Sequence, residues 1–232
     1  MSALGFKTPK LILLPGLDGT GKLFAPLVQH LPAHIDYEIY PLNQFSDAKQ
    51  VDVANEIAER LGNQEVILFA ESYSGRIAYA LAQNSNLKIK HIIFAASFLQ
   101  RPSPLSRYAY LTPLTLIKKN IIPVKLLNWA LFGNQDHDSI LTTLFMSTLK
   151  GVSNTTLRQR LKNIAQLNGP KQVISVPCTY IQATNDKLVP QHAIYLFQSL
   201  CKQLNIEKIE GGHFIAQSSP RKVAEIINKQ IA

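Results

Sequence analysis

The sequence is short of charge, of cysteine and of long apolar runs, and each shortage excludes something. Charged residues make up 17% of the 232 positions against 46% hydrophobic ones, which is too little charge and too much apolar matter for a disordered chain. The two cysteines, Cys178 and Cys201, have no metal-ligand spacing and are too few for a secreted disulfide framework, so they read as reduced core thiols. Lys118, Lys119 and Lys125 interrupt the most hydrophobic stretch before it reaches the ~18 residues of a membrane span. The opening MSALGFKTPK lacks the apolar centre of a secretion signal. The expectation is a soluble, cytoplasmic protein of one core, since the length is too small for two ordinary domains and a linker.

Basic residues are in excess, giving a net charge of +9, and most of the excess lies in one segment. Between Arg101 and Asn168 nine basic residues face only Asp136 and Asp138, a local net charge of +7. No nucleic-acid-binding motif accompanies that charge, so nucleic acid is not an expected partner. An anionic carrier protein or a membrane surface would suit it. Solvated lysines on exposed helix faces are the structural alternative.

Outside that segment, buried strands and amphipathic helices alternate. Strand patterns fall at Lys10–Pro15, Tyr37–Leu42, Val66–Ala70, His91–Ala96, Val176–Ala183 and Ile206–Ile209, and helix patterns at Lys22–Leu31, Ala48–Leu61, Ile77 to about Gln83, Gln191–Leu204 and Pro220–Ile231. Such alternation predicts an α/β fold with a mostly parallel sheet covered on both faces. Residues 101–168 break the rhythm with helical runs punctuated by Pro102, Pro104, Pro113 and Pro123. The expected organisation is therefore a core of residues 1–100 and 169–232 with a helical lid inserted at 101–168.

Ser72 sits where the run Val66-Ile67-Leu68-Phe69-Ala70-Glu71 gives way to a helical pattern. A chain that doubles back there needs small residues two before and two after the serine, and Ala70 and Ser74 are small, although glycine is usual. Ser74 is a poorer nucleophile candidate, because Arg76 would occupy its tight position. In a parallel sheet working groups collect at the carboxyl ends of strands. There the sequence offers Thr184-Asn185-Asp186 after one late strand and Gly211-Gly212-His213 after the last.

The segments A-E-S-Y-S-G, T-N-D-K-L-V-P and G-G-H-F, in that order, resemble the elbow, acid turn and histidine loop of the α/β-hydrolase superfamily, and the resemblance spans nearly the whole chain. It implies a Ser72, Asp186, His213 triad in which the histidine takes the serine proton and the aspartate orients the imidazole. Neither metal nor cofactor is implied. An aspartate after a strand is otherwise a turn or cap residue, and Asp136 and Asp138 beside His137 read as a cap for the helix that starts near Ser139. His30, His34, His91, His137 and His192 read as surface or packing residues.

The glycine loop Gly16-Leu17-Asp18-Gly19-Thr20-Gly21 has two readings. As an oxyanion loop supported by Gly16, it would offer the Leu17 N–H to join that of Tyr73. As a phosphate loop, Gly16-x₄-Gly21-Lys22 lacks the Mg²⁺-binding hydroxyl, since Leu23 stands there. The phrase L-P-G-L-D-G-T-G resembles a loop in bacterial α/β-hydrolases and in plant esterase or acyltransferase relatives that use acyl lipids. A carboxylate beside a developing oxyanion would oppose it, so Asp18 is expected to point into its own turn. Apolar residues of the insert, among them Tyr108, Leu111, Trp129, Leu131 and Phe145, would line an acyl pocket. The expected function is a serine hydrolase acting on carboxylic esters or thioesters. An acyltransferase on the same triad, a P-loop nucleotide-binding protein and a non-catalytic lidded binding protein are the alternatives.

Overall fold

Seven residues, Glu65–Glu71, form the strand at the heart of the molecule, and their burial on both faces explains their composition. A strand covered on two sides loses the inside-outside alternation of a surface strand and becomes a continuous apolar run. The computed structural model describes residues 8–45, 49–119, 121–133 and 139–231. The strands are β1 (Lys10–Leu14), β2 (Tyr37–Ile39), β3 (Glu65–Glu71), β4 (Lys88–Ala95), β5 (Cys178–Ala183) and β6 (Leu204–Ile209). The sheet order is β2-β1-β3-β4-β5-β6, and every neighbouring pair is parallel.

Alternate residues of one strand enter different cores. Leu11 and Leu13 pack with Phe24, Leu27 and Ile227 on one face, while Ile12 and Leu14 join Ile57 and Ile77 on the other. The helices outside the insert are α1 (Ala25–Val28), α2 (Gln50–Leu61) and α3 (Gly75–Ala82) before it and α8 (Ile194–Leu200), α9 (Ile215–Ser218) and α10 (Pro220–Ile231) after it. Of these, α1 and α10 contribute to the Leu11 face, and α2, α3 and α8 to the Ile12 face. The chain leaves β1 toward one edge and returns through β3 toward the other, so the carboxyl ends of β1 and β3 flank a topological switch point, where a crevice forms.

The segment between β4 and β5 is helical among its described residues. It contains a 3-10 helix, Pro104–Leu111, followed by α4 (Leu114–Lys118), α5 (Val124–Phe132), α6 (Ser139–Lys150) and α7 (Asn154–Ala165). Ser103 and Ser153 cap the 3-10 helix and α7 by accepting the amides of Ser106 and Thr156. Four of the nine basic residues here bond backbone carbonyls: Arg101 that of Ala165, Lys118 that of Val152, Arg158 that of Tyr110, and Arg160 those of Leu17 and Asp18. Asp136, His137 and Asp138 lie outside the described residues, as do residues 1–7 and Ala48.

Three expected elements differ. The helix over Lys22–Leu31 is a 3-10 turn at Lys22–Phe24 followed by the short α1, because Pro26 in the first turn of α1 supplies no N–H to continue the preceding one. The strand over Tyr37–Leu42 stops at Ile39, and Leu42–Gln44 is a 3-10 turn entered from Pro41. The helix over Gln191–Leu204 ends at Leu200. Cys201 there forms a parallel bridge with Ile174, and Leu204 pairs with Cys178 as the first residue of β6, so sheet pairing outcompetes the helical pattern. Cys178 and Cys201 are free and buried. Among the described residues no helix is long and apolar enough to cross a membrane.

Candidate active site

Backbone strain marks the end of β3. Ser72 has φ +49°, a left-handed conformation that costs a non-glycine residue free energy and persists where the surroundings enforce it. The enforcing contacts are local. The hydroxyl of the fully buried Ser74 donates to the carbonyl of Pro15, and Ser97 Oγ donates to the carbonyl of Ala70 at 2.7 Å. Ser74 therefore supplies a brace between the elbow and the glycine loop as well as small size. The half-buried Ser72 is lifted to the rim of the sheet.

Two loops meet it there. His213 Nε2 lies 2.8 Å from Ser72 Oγ, and His213 Nδ1 lies 2.8 Å from Asp186 Oδ2. The side chains of His213 and Asp186 are only 6% and 3% exposed. Asp186 also accepts the amides of Leu188 and Val189 through Oδ1, both at 2.8 Å. It is thus a turn residue and a histidine partner at once, one oxygen for each role. Burial opposes charge on His213, but Asp186, by charge and hydrogen bond, and Glu71 together push its pKa up. An imidazole that becomes easier to protonate as it approaches a serine hydroxyl is equipped to take that proton. Of the other histidines, His91 pairs with Thr179 at 2.9 Å, and its burial lowers its pKa to about 4, as suits a neutral packing residue.

The histidine loop is pinned by the insert. Gly212 donates to the carbonyl of Phe132, Phe214 to that of Leu131, and a Cβ on Gly212 would stand 2.3 Å from the Phe132 carbonyl carbon. Only glycine lets the end of α5 approach the chain beside His213 so closely.

The glycine loop lies on the other side. Gly16 and Leu17 line the same cavity as Ser72, and the Leu17 N–H has no hydrogen-bond partner among the described residues. Tyr73, whose amide follows the serine, is buried, and its hydroxyl accepts from Asn163 at 3.0 Å. Asp18 turns its carboxylate into its own loop, where Oδ2 accepts both the amide (2.8 Å) and the hydroxyl (2.6 Å) of Thr20. Lys22, the would-be phosphate lysine, is exposed, and the long helix of a phosphate loop is replaced by the 3-10 turn and α1.

Sequence reasoning missed three residues. Arg160 of α7 is 4% exposed and donates to the carbonyls of Leu17 (3.1 Å) and Asp18 (2.8 Å) and to Asn43 (2.9 Å). Gly19, at φ +67°, leaves room for it, since a Cβ there would stand 2.2 Å from Nη1. Glu71, the last residue of β3, is 3% exposed, accepts from Gln217 Nε2 at 3.0 Å and from the backbone of Gly16, and lines the cavity. Burial, opposed by the Gln217 bond and reinforced by Asp18, lifts its pKa to about 7. Both had a signal: Arg160 shares a helical face with Leu157, Leu161 and Ile164, and Glu71 closes an otherwise apolar strand. Gln217 of α9 had none.

The cavity beside Ser72 measures about 270 Å³ and is walled mainly by apolar side chains. The insert supplies several of them, including Leu131, Phe145, Leu149, Leu161 and Ile164. Tyr108, Leu111 and Trp129, expected in the pocket, are instead on the surface, and Phe132 is buried in packing. Among the described residues no group of three His, Cys, Asp or Glu side chains is placed to hold a metal ion.

Comparison with known proteins gives a consistent fold. Residues 9–218 match the family model described as alpha/beta hydrolase fold. Among curated proteins no match is found. An esterase (EaEST) from Exiguobacterium antarcticum superposes with a TM-score of 0.77 at 18% identity, over 96% of this chain and 91% of that one. The enol-lactonase from Burkholderia xenovorans LB400 superposes at 0.76 and 13% identity, over 99% and 93%. The epoxide hydrolase CorEH does so at 0.72 and 12%, over 95% and 90%. At these identities the likeness is one of fold.

Proposed function

Because the chain belongs to the α/β-hydrolase family, we propose that it hydrolyses carboxylic esters or thioesters through an acyl-enzyme on Ser72, with His213 as general base and Asp186 as its partner. The observation that carries this reading is the continuous relay from Asp186 through His213 to Ser72, with both links at 2.8 Å. Ser72 Oγ attacks the acyl carbonyl while His213 Nε2 takes its proton. The Leu17 and Tyr73 amides receive the oxyanion, with Gly16 supporting the loop. Collapse expels the alcohol or thiol, which leaves with the proton from His213. Water, activated by the same imidazole, then attacks the acyl-serine and restores the serine hydroxyl. An alcohol in place of water would make the same protein an acyltransferase.

The walls of the cavity favour an apolar acyl group, and its volume lies below the roughly 300–1,000 Å³ of most small-molecule sites, which favours short to medium chains. The outer surface of the insert suggests where such a substrate is met. Leu105, Tyr108 and Leu111 recur every third residue of the 3-10 helix, so they line up in one exposed row, and Val124, Leu126 and Trp129 are exposed on α5. Arg107, Lys119 and Lys125 lie exposed among them. Apolar side chains edged with cations suit an anionic lipid surface, whereas two copies meeting on this face would bring like charges together.

An esterase panel run on wild type and Ser72→Ala tests the core of the reading. All acyl hydrolysis should vanish in the variant, by up to about 10⁶-fold in kcat. A variant as active as wild type would rule out Ser72 as nucleophile.

A further inference from the structure

One carboxyl group touches all three loops of the site. Glu71 belongs to the elbow, accepts the backbone N–H of Gly16 in the glycine loop, and accepts Gln217 Nε2 at 3.0 Å, four residues beyond His213. Glu71 and Gln217 are each 3% exposed. The amide oxygen of Gln217 has no partner among the described residues, so the carboxyl group is what orients the amide. Side chains placed this way decide how the Leu17 amide and the imidazole stand relative to the serine.

Asp18 faces Glu71 from the glycine loop and His213 from the histidine loop, with Asp186 behind His213. The guanidinium of Arg160 on α7 is engaged with the Leu17 and Asp18 carbonyls. A second carboxylate beside the position where an oxyanion must develop would work against it, and at an effective dielectric of about 20 and a separation of about 5 Å the slowing is on the order of a hundredfold. As a neutral acid Glu71 carries no such penalty. Its carbonyl oxygen takes the Gly16 N–H, and its hydroxyl donates to Gln217, whose amide can turn its oxygen inward.

We propose that Glu71 is a positioning residue that ties the glycine loop, the elbow and the histidine loop together as a neutral acid, and that its ionisation sets the alkaline limit of activity. The inference rests on the serine-hydrolase reading above. Burial already places the group near the pH where it would act, at about 7. The lower limit of activity then belongs to His213, which must be neutral to take a proton, and the profile is a bell.

The test is the pH dependence of kcat with a p-nitrophenyl ester, in wild type, Glu71→Gln and Gln217→Leu. Glutamine reproduces the hydrogen bonds of the neutral acid and cannot ionise. Its alkaline limb should disappear, leaving it up to about a hundredfold faster than wild type well above neutrality. Removing the Gln217 donor, which favours the charged form, should move the limb to higher pH while keeping a bell. A residue that only held the loops would lower kcat at every pH and leave the limb in place. An unchanged limb in Glu71→Gln, or one that stays or moves down in Gln217→Leu, overturns the inference. Fluorophosphonate labelling of Ser72 in slightly acidic buffer separates the two failures. Labelling with an unchanged limb defeats the role of Glu71 alone, and absence of labelling in wild type defeats the serine-hydrolase reading and this inference with it.

Discussion

Glu71→Gln should stabilise the protein at alkaline pH and do much less in acid, a consequence of burial that is independent of turnover. The folded state raises the carboxyl group from 4.5 to about 7, chiefly through desolvation. Between those values the folded chain keeps a proton that the unfolded chain gives up. Stability from this group is therefore fully present below the unfolded value and is lost as pH rises through the folded one. At about 1.4 kcal/mol per pKa unit, the loss is a little over ~3 kcal/mol in full, and most of it falls between pH ~5 and pH ~8. Glutamine is spared that loss. For a chain of this size it corresponds to a melting temperature higher than wild type by roughly 5–10 °C near pH 8, with a much smaller gap near pH 5. Urea or thermal unfolding of the two proteins across that range reads the difference directly. A difference independent of pH would refute the claim that the fold holds Glu71 as an acid.

Three further outcomes follow from the geometry. Arg160→Met should leave the Leu17 and Asp18 carbonyls without their donor, costing about 2–4 kcal/mol in urea unfolding and lowering kcat more than it raises KM; kinetics indistinguishable from wild type would mean that the insert does not position the glycine loop. Leu161→Trp should fill part of the cavity and shift chain-length preference among p-nitrophenyl esters toward acetate; an unchanged profile, or a wild type that itself strongly prefers acetate, would contradict the acyl pocket. Trp129 is the sole tryptophan and is 45% exposed, so anionic phosphatidylglycerol vesicles should shift its emission to the blue, with the shift weakening as salt screens the contact. No shift with any vesicle, or an equal one with neutral phosphatidylcholine, would count against the anionic surface.

How much of this could be read from the chain alone depended on the range of the forces involved. The strands announced themselves because a strand buried on both faces must be apolar throughout, and Val66 to Ala70 is. Ser72, Asp186 and His213 were legible because loops at the carboxyl ends of parallel strands share one rim, so their order along the chain already implied proximity. Local pattern failed where long-range pairing competed with it: Leu204 suits the last turn of a helix, but its partner across the sheet, Cys178, makes it the start of β6. The exposed Tyr108, Leu111 and Trp129 were mistaken for pocket lining because a hydrophobic residue carries no mark of which surface will cover it.

Sequence by itself determined the sheet, the alternation of its helices and the three loops that end on a serine, an aspartate and a histidine, since each follows from side-chain periodicity over a few neighbours. Tertiary structure alone decided that Arg160, more than a hundred residues from the glycine loop, grips its carbonyls, and that Glu71 meets Gln217 out of water. The proton affinity of a carboxyl group depends on the dielectric and dipoles around it. Those exist only once distant parts of the chain have closed over it.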